Sequence, residues 1–351
     1  MDLTLLVLTA IKVVAIAGLV IAMVPVMTWV ERRGAGFIQL RLGPNRVGPL
    51  GLFQPLADGL KFLFKEDIVP PFAHRGTYIL APGVALCAAV LAFAVIPVGG
   101  QLSFLGRKIP LVIADVDAGV LLLLAASGMG VYGIIMAGWA SNNKYSQMGG
   151  LRSSSQMISY ELALGLAVIS VLVIGGTLRP VSIVQQQAGP WGWFPLGWNV
   201  FKLPLGFVVM LVAGFAETNR APFDLPEAES ELVAGYHTEY SSMTFSMFFM
   251  AEYVNMITSA SLLVTLFLGG YSIPTFITKP LGLDGNLLVV CEVAKFVLLV
   301  GLFLVFFVWV RWTLPRFRFD QLLRLGWKIL IPLGFLNVVW AALFVTWGWV
   351  K

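Results

Sequence analysis

The sequence predicts an all-α, polytopic integral membrane protein with about eight transmembrane helices and one amphipathic helix at the membrane surface. Composition is the first observation: 58% of the 351 residues are hydrophobic and 12% are charged, against about 25% charged in soluble domains. The mean hydropathy is +0.88. Second, the apolar residues fall in solid runs close to the ~20 that cross a hydrocarbon core. Third, the alternation of apolar and polar residues that a membrane barrel needs is missing. Helices are then the spanning form that satisfies the backbone internally, and residues 1–351 read as one membrane domain.

The runs lie at about residues 5–30, 78–98, 111–138, 156–176, 201–217, 241–268, 287–312 and 327–349. The first is too long for a signal peptide and lacks a basic start and a small-residue cleavage site, so it reads as retained. It leads into Glu31, Arg32 and Arg33, and the segment 31–76 is punctuated by Gly and Pro, which marks structured turns. Pro55 opens a helix with Phe53, Leu56, Leu60, Leu63 and Phe64 on one face and Asp58, Lys61 and Lys65 on the other, a pattern suited to an interfacial anchor or to one wall of an entrance for an amphipathic ligand. Residues 139–155 read as a loop whose Ser153 to Ser155 cap the next span. That start puts Glu161 about 9 Å along its helix. Residues 177–200 form an outer loop whose stretch from about Gln185 to Trp198 is rich in Trp, Gly and Pro, like an interfacial aromatic belt. The run at 201–217 is short and ends in an acid.

Residues 217–240 hold Glu217, Asp224, Glu227, Glu229, Glu231 and Glu239, six of the chain's 18 acids, with one base, Arg220. Carboxylates so crowded titrate as a group. Arg220 reads as their counter-charge, and its loss would raise their proton affinity. Glu252 falls some 16 Å into its span. An ionisable group at such depth costs roughly 2.5–3.5 kcal/mol, so it faces a water-filled cavity or a partner. Glu161, Glu217, Glu252 and the loop acids thus line up as protonatable sites running from the surface toward the membrane's middle. The plainer reading of Glu161 and Glu252 is a structural hydrogen bond from a permanently protonated acid. Glu292 and Lys295, three residues apart on one helix, read as neutralising each other. Asp115 and Asp117 sit near the outer start of a span, with solvation, capping and proton transfer all open.

If residue 1 faces outward, 15 bases lie on the inner side and six on the outer, with Lys12 and Lys295 inside spans. Lys and Arg favour the cytoplasmic side, so both termini are expected outside and the acidic loop inside. The net charge of +5 is then a topology signal, and nothing calls for nucleic acid. Cys87 and Cys291 are isolated in apolar spans, which suits buried thiols and offers no iron–sulfur ligand set. The two histidines, His74 and His237, fall in inner loops, away from where a membrane haem would sit. No Gly-rich nucleotide loop is present. Redox chemistry must therefore come from another subunit, with no flavin, haem or iron–sulfur cluster held by this chain.

Several motifs carry a resemblance. They include Glu31-Arg32, Leu42 to Gly51, Gly138 to Asn142, Gln156 to Glu161, Ala216 to Asp224, Glu227 to Val233, Phe249 to Tyr253 and Pro315 to Leu322. In collinear order from about residue 25 to 330 the chain resembles one membrane subunit of NADH-quinone oxidoreductase (respiratory complex I), the counterpart of mitochondrial NADH dehydrogenase subunit 1. The resemblance implies a subunit of the proton-translocating enzyme in the bacterial inner membrane. It would form much of the tunnel by which ubiquinone or menaquinone reaches a neighbour's last iron–sulfur cluster. Its expected partners are the peripheral-arm quinone-site and iron–sulfur subunits, the antiporter-like membrane subunits and the lipid bilayer. Glu31, Arg32, Arg41, Phe53, Leu56, Asp58, Leu60, Phe64, Phe223 and Asp224 are then expected at the tunnel. Glu161, Glu217, Arg220, Glu227, Glu229, Glu231, Glu239 and Glu252 are expected to couple quinone reduction to proton movement. The alternatives are the related anchor of an energy-converting hydrogenase or related dehydrogenase, and a stand-alone ion transporter. The intact acidic-loop motifs favour the quinone enzyme, and the lack of an internal repeat disfavours the transporter.

Overall fold

The computed structural model describes residues 3–104, 107–190, 197–226, 229–274, 278 and 284–348. Helix α1 (Leu3–Ile38) is followed by a surface helix, α2 (Gln54–Phe64), and by α3 (Arg75–Phe93). An antiparallel hairpin of β1 (Gln101–Phe104) and β2 (Arg107–Pro110) pairs Leu102 with Ile109. Then come α4 (Gly119–Ala140), α5 (Lys144–Gly175), α6 (Pro180–Gln186), α7 (Asn199–Lys202) and α8 (Pro204–Glu217). A one-turn α9 (Glu229–Leu232) and a 3-10 turn at Gly235–His237 lead to α10 (Ser242–Phe267). After α11 (Gly285–Thr313), α12 (Phe319–Arg324) runs through a π-helical turn, Leu325–Leu330, into α13 (Ile331–Thr346).

Seven described helical stretches are long and apolar enough to cross a membrane: those of α1, α3, α4, α5, α10, α11 and Phe319–Thr346. The remaining expected span, α8, has 14 residues. That makes it about 21 Å long, short of a ~30 Å hydrocarbon core. Pro204 ends the preceding α7 because it has no N–H to continue the helix and instead occupies the first turn of α8.

Three other boundaries differ from the sequence reading. Helix α1 continues past residue 30, so Glu31 is a helical residue. The stretch read as the start of a span at 111 is non-helical chain with bends and a turn after the hairpin, and α4 begins at Gly119. Helix α5 starts at Lys144 and is capped by Asn143, whose side-chain oxygen accepts from the Tyr145 N–H at 3.0 Å. Ser153 to Ser155 are therefore mid-helix, and the hydroxyls of Ser154 and Ser155 turn back to the Leu151 carbonyl. Asn is among the best N-caps, which explains why the helix begins a full three turns early.

Chain alternation places the α2 surface helix, Arg220 and Arg316 at one end of the bundle and the hairpin at the other. Helix α5 packs on α4, α8 and α13, and α10 packs on α3, α8 and α11, which makes these two the inner posts. At the α3–α4 contact a Cβ on Gly133 would lie 2.8 Å from the Ala85 backbone, so only glycine permits that approach. Leu298, Leu302, Leu336 and Val339 are exposed on α11 and α13, as side chains that meet lipid are. Cys87 is also exposed on α3 and Cys291 is half-buried. The buried setting expected for both thiols is not found, since in lipid an apolar thiol can face outward at no penalty.

Candidate functional site

At the α2 end, three helices and one loop bring four charges together. Glu31 on α1 is 5% exposed. It accepts hydrogen bonds from Arg220 Nη1 at 2.6 Å and from the Tyr253 hydroxyl at 2.7 Å, and Arg311 Nη1 on α11 reaches its other oxygen. Glu252 on α10 lies against the Nε edge of Arg220 as an ion pair, off the line of the N–H. The Arg220 guanidinium also sits 4.2 Å from the centre of the Tyr253 ring, within cation–π range. Burial opposes the charge on Arg220, yet Glu252 and Glu31 hold it more firmly protonated than usual. Arg220 is thus the counter-charge of two helix carboxylates, where the sequence pointed to its loop neighbours.

The loop is held in place by α5. Gln156, fully buried, donates through Nε2 to the carbonyls of Ala216 at 2.9 Å and Phe223 at 2.7 Å. Four residues on, and so on the same helix face, Tyr160 donates to the Leu322 carbonyl at 2.9 Å and packs edge-on against Phe223. These contacts carry Arg220 into the bundle.

The loop acids find bases from distant parts of the chain. Asp224 accepts from Arg316 at 2.8 Å. Burial raises its proton affinity above that of an ordinary Asp, against the pull of Arg316. Glu231 pairs with Arg152 at 2.6 Å and Glu239 accepts from Asn143 Nδ2 at 2.5 Å. Glu227 lies outside the described residues, and of Glu229 only the backbone, in α9, is described.

Beside the cluster a cavity of about 390 Å³ opens between α1, α2 and α10. Its walls are mostly apolar, with Val24, Phe62, Phe249 and Met250, and its polar groups are Thr28, Ser246, the Arg32–Asp58 pair and Tyr253. Asp58 accepts from Arg32 at 2.5 Å, Lys61 at 3.1 Å and Gln54 at 3.2 Å. Partial burial would raise its pKa, but the hydrogen bonds from Arg32 and Lys61 win and hold it low. Pro25 in α1 also lines the cavity and leaves one helical carbonyl without its donor.

Of the residues expected at a tunnel, Arg32 and Asp58 line this cavity and Glu31 stands behind it through Tyr253. Leu56, Leu60 and Phe64 are exposed on the far side of α2, and Phe53 and Arg41 also lie at the surface. Phe223 is buried between Tyr160 and Phe317. Phe245, Phe249 and Tyr253 were missed, although their spacing of four along α10 marks one helix face.

Deeper in the bundle, Glu217 ends α8 and Glu161 lies on the facing side of α5, close enough for their charges to interact. A Cβ on Gly128 would meet Glu161 Oε1 at 2.7 Å, so the absence of a side chain there makes room for the carboxyl. At the hairpin end, Asp115 forms a two-bond pair with Arg179 at 2.9 and 2.5 Å, and Asp117 stands 3.9 Å from the same base. Glu292 accepts from the Gly100 N–H at 3.0 Å, while Lys295 donates to the Ser272 carbonyl at 2.6 Å. That pair is therefore tied to separate backbone segments as well as to each other's field.

The family model described as NADH dehydrogenase matches residues 11–342. The chain is 49% identical over 322 residues to an NADH-quinone oxidoreductase subunit of Cytophaga hutchinsonii, covering 92% of this chain and 91% of that one. It is 50% identical over 329 residues to NADH-quinone oxidoreductase subunit 8 of Rhodothermus marinus, covering 91% and 92%. The chain belongs to this family of NADH-quinone oxidoreductase subunits. A relative from Leptospira biflexa, 46% identical, aligns over 100% of this chain and 99% of its own length, so the family match takes in the charge cluster, the cavity and the α8–α5 carboxylates together. Membership makes this a membrane subunit of an enzyme complex.

Proposed function

We propose that the chain guides quinone in the membrane arm of a proton-translocating NADH:quinone oxidoreductase and couples its reduction to proton movement. One observation carries the reading: Tyr253 lines the cavity and hydrogen-bonds Glu31 in the charge cluster, so whatever occupies the cavity touches a residue wired to Arg220 and Glu252. The cavity is within the ~300–1,000 Å³ range of small-molecule sites, apolar with a few polar groups, which suits a quinone head and the start of its isoprenoid tail. Electrons come from a neighbouring subunit. The part of this chain is to bind, to orient and to respond to charge.

A change in the charge of a quinone alters the field at Arg32, Asp58 and Tyr253, and carboxylates near a changing charge exchange protons. Glu252, Glu217 and Glu161 then form the file by which that response passes into the bundle. The α2 end faces the cytoplasm and both termini the other side, in the bacterial inner membrane. The peripheral arm docks on the α2 end and the antiporter-like subunits stand alongside the bundle.

Tyr253→Phe keeps the ring over Arg220 and deletes one hydrogen bond to a charged group, worth about 1.5–3 kcal/mol. Quinone-dependent NADH oxidation by the assembled complex is expected to fall about ten- to hundredfold. Wild-type turnover and wild-type proton translocation in this variant would overturn the link between cavity and cluster.

A further inference from the structure

We propose that Glu217 works between two single-water chambers that share Asn255 as a common wall, and that Thr258 anchors the water of the second. This rests on the carboxylate file described above and specifies how neighbouring members of it communicate.

Each chamber has a volume of about 20 Å³. One water needs roughly 10–15 Å³ by this measure, together with two to four polar partners. The first chamber lies between Glu217 and Glu252, with Asn219 and Asn255 beside it. The second lies on the other side of Glu217, with Ser127, Asn255, Thr258 and Ser259 around it. Glu217 and Asn255 are the two polar side chains that line both.

A second observation is independent of the cavities. The Thr258 hydroxyl is buried, the residue being 5% exposed, and has no hydrogen-bond partner among the described residues. An unsatisfied buried hydroxyl is unfavourable, and Thr258 lines a chamber with room for one water. The rest of that chamber's wall is apolar, formed by Leu123, Leu124, Leu164 and Leu262. Ser259 is held near Glu217 because α8 has Gly214 at the contact, where a Cβ would lie 2.5 Å from the Ser259 hydroxyl.

The transfer is balanced without any electron or co-reactant. A water in the first chamber accepts the proton of one carboxyl group and gives one of its own to the other, a carboxylate, so two O–H bonds break as two form. Glu217 then passes a proton to the second water in the same way, toward Ser127 and the Glu161 side. The asparagine amide cannot lose or gain a proton here. It orients both waters and keeps them apart, so each step goes through Glu217.

The test uses the whole complex. A cryo-EM map fine enough to show ordered water is expected to hold one water in each chamber of the wild type. In Thr258→Val the second is lost and the first kept. Protons translocated per quinone reduced should fall about fivefold in Thr258→Val, the worth of one hydrogen bond, and return in Thr258→Ser. Asn255→Leu, which intrudes on both chambers, should lower the same ratio about tenfold or more. Dry chambers in the wild type, or a wild-type ratio in Thr258→Val, would overturn the proposal. Glu217→Gln separates the two levels: if it translocates protons normally the carboxylate file itself fails, whereas if it is blocked while Thr258→Val and Asn255→Leu are normal, only the water relay fails.

Discussion

Replacing Arg220 by Met is the perturbation whose size the structure defines best. The guanidinium faces two carboxylates, Glu31 at 2.6 Å and Glu252. With charge centres about 4 Å apart, each pair is worth ~4 kcal/mol at an effective dielectric of 20. Most of that offsets desolvation, so removing one partner of such a buried group leaves a net penalty of about 3–5 kcal/mol. Glu31 keeps Arg311 and Tyr253 after the change, whereas Glu252 loses the base that touches it. The penalty should therefore sit mainly on Glu252. Assembly of the complex and the thermal stability of its quinone reductase activity are the readouts. Arg220→Met should assemble poorly, and Arg220→Met with Glu252→Gln should recover assembly and a good part of the stability, because no uncompensated carboxylate remains. A single variant as stable as wild type, or a double variant no better than the single, would refute the argument.

Two further outcomes follow from particular contacts. Gly128→Ala puts a methyl group at the place now held by the Glu161 carboxyl, 2.7 Å from Oε1. Alanine favours a helix by about 1 kcal/mol over glycine, so the complex should assemble normally while proton translocation falls; normal translocation would mean that the position of Glu161 does not matter. His237 is 7% exposed and packs against Phe245 and Phe249, and burial pushes its pKa down to about 4. With a folded pKa below the unfolded ~6.5, the unfolded chain binds more protons between these values. Stability should fall by up to about 3 kcal/mol as the pH drops through that window. His237→Phe should flatten that slope in thermal inactivation measured from pH 7 to 5, and an unchanged slope would assign it to other groups.

The membrane class was legible because composition and run length report directly on burial in lipid. The charged motif residues were legible as a set. Their pairing was not. Arg220 sits among acids in sequence, yet its partners are 189 residues away at Glu31 and on α10 at Glu252, and the bases for Asp224 and Glu231 are Arg316 and Arg152. Such pairings depend on how α1, α5, α10 and α11 pack, which local pattern does not encode. The early start of α5 was hidden because Lys144 to Gln156 is polar. Those residues face the acidic loop and the 3-10 turn, with Gly149 against Gly235 and Gln156 against the Ala216 and Phe223 carbonyls, and a polar helix face packed on protein resembles a loop in sequence. On the surface helix both the apolar stripe and Asp58 were expected at the tunnel. In the fold Leu56, Leu60 and Phe64 point away and Asp58 and Phe62 line the cavity.

The central claim is that the space between α1, α2 and α10 takes a quinone, and photo-crosslinking tests it most directly. A quinone carrying a photoreactive group near its head would be added to the assembled complex during NADH turnover, and the labelled residues of this subunit mapped by mass spectrometry. Labels on Thr28, Phe62 and Phe249, suppressed by excess unlabelled quinone, are the predicted result. Quinone-protected labelling confined to the hairpin end or to lipid-facing side chains such as Leu298 and Leu336, with the cavity unlabelled, would contradict the account.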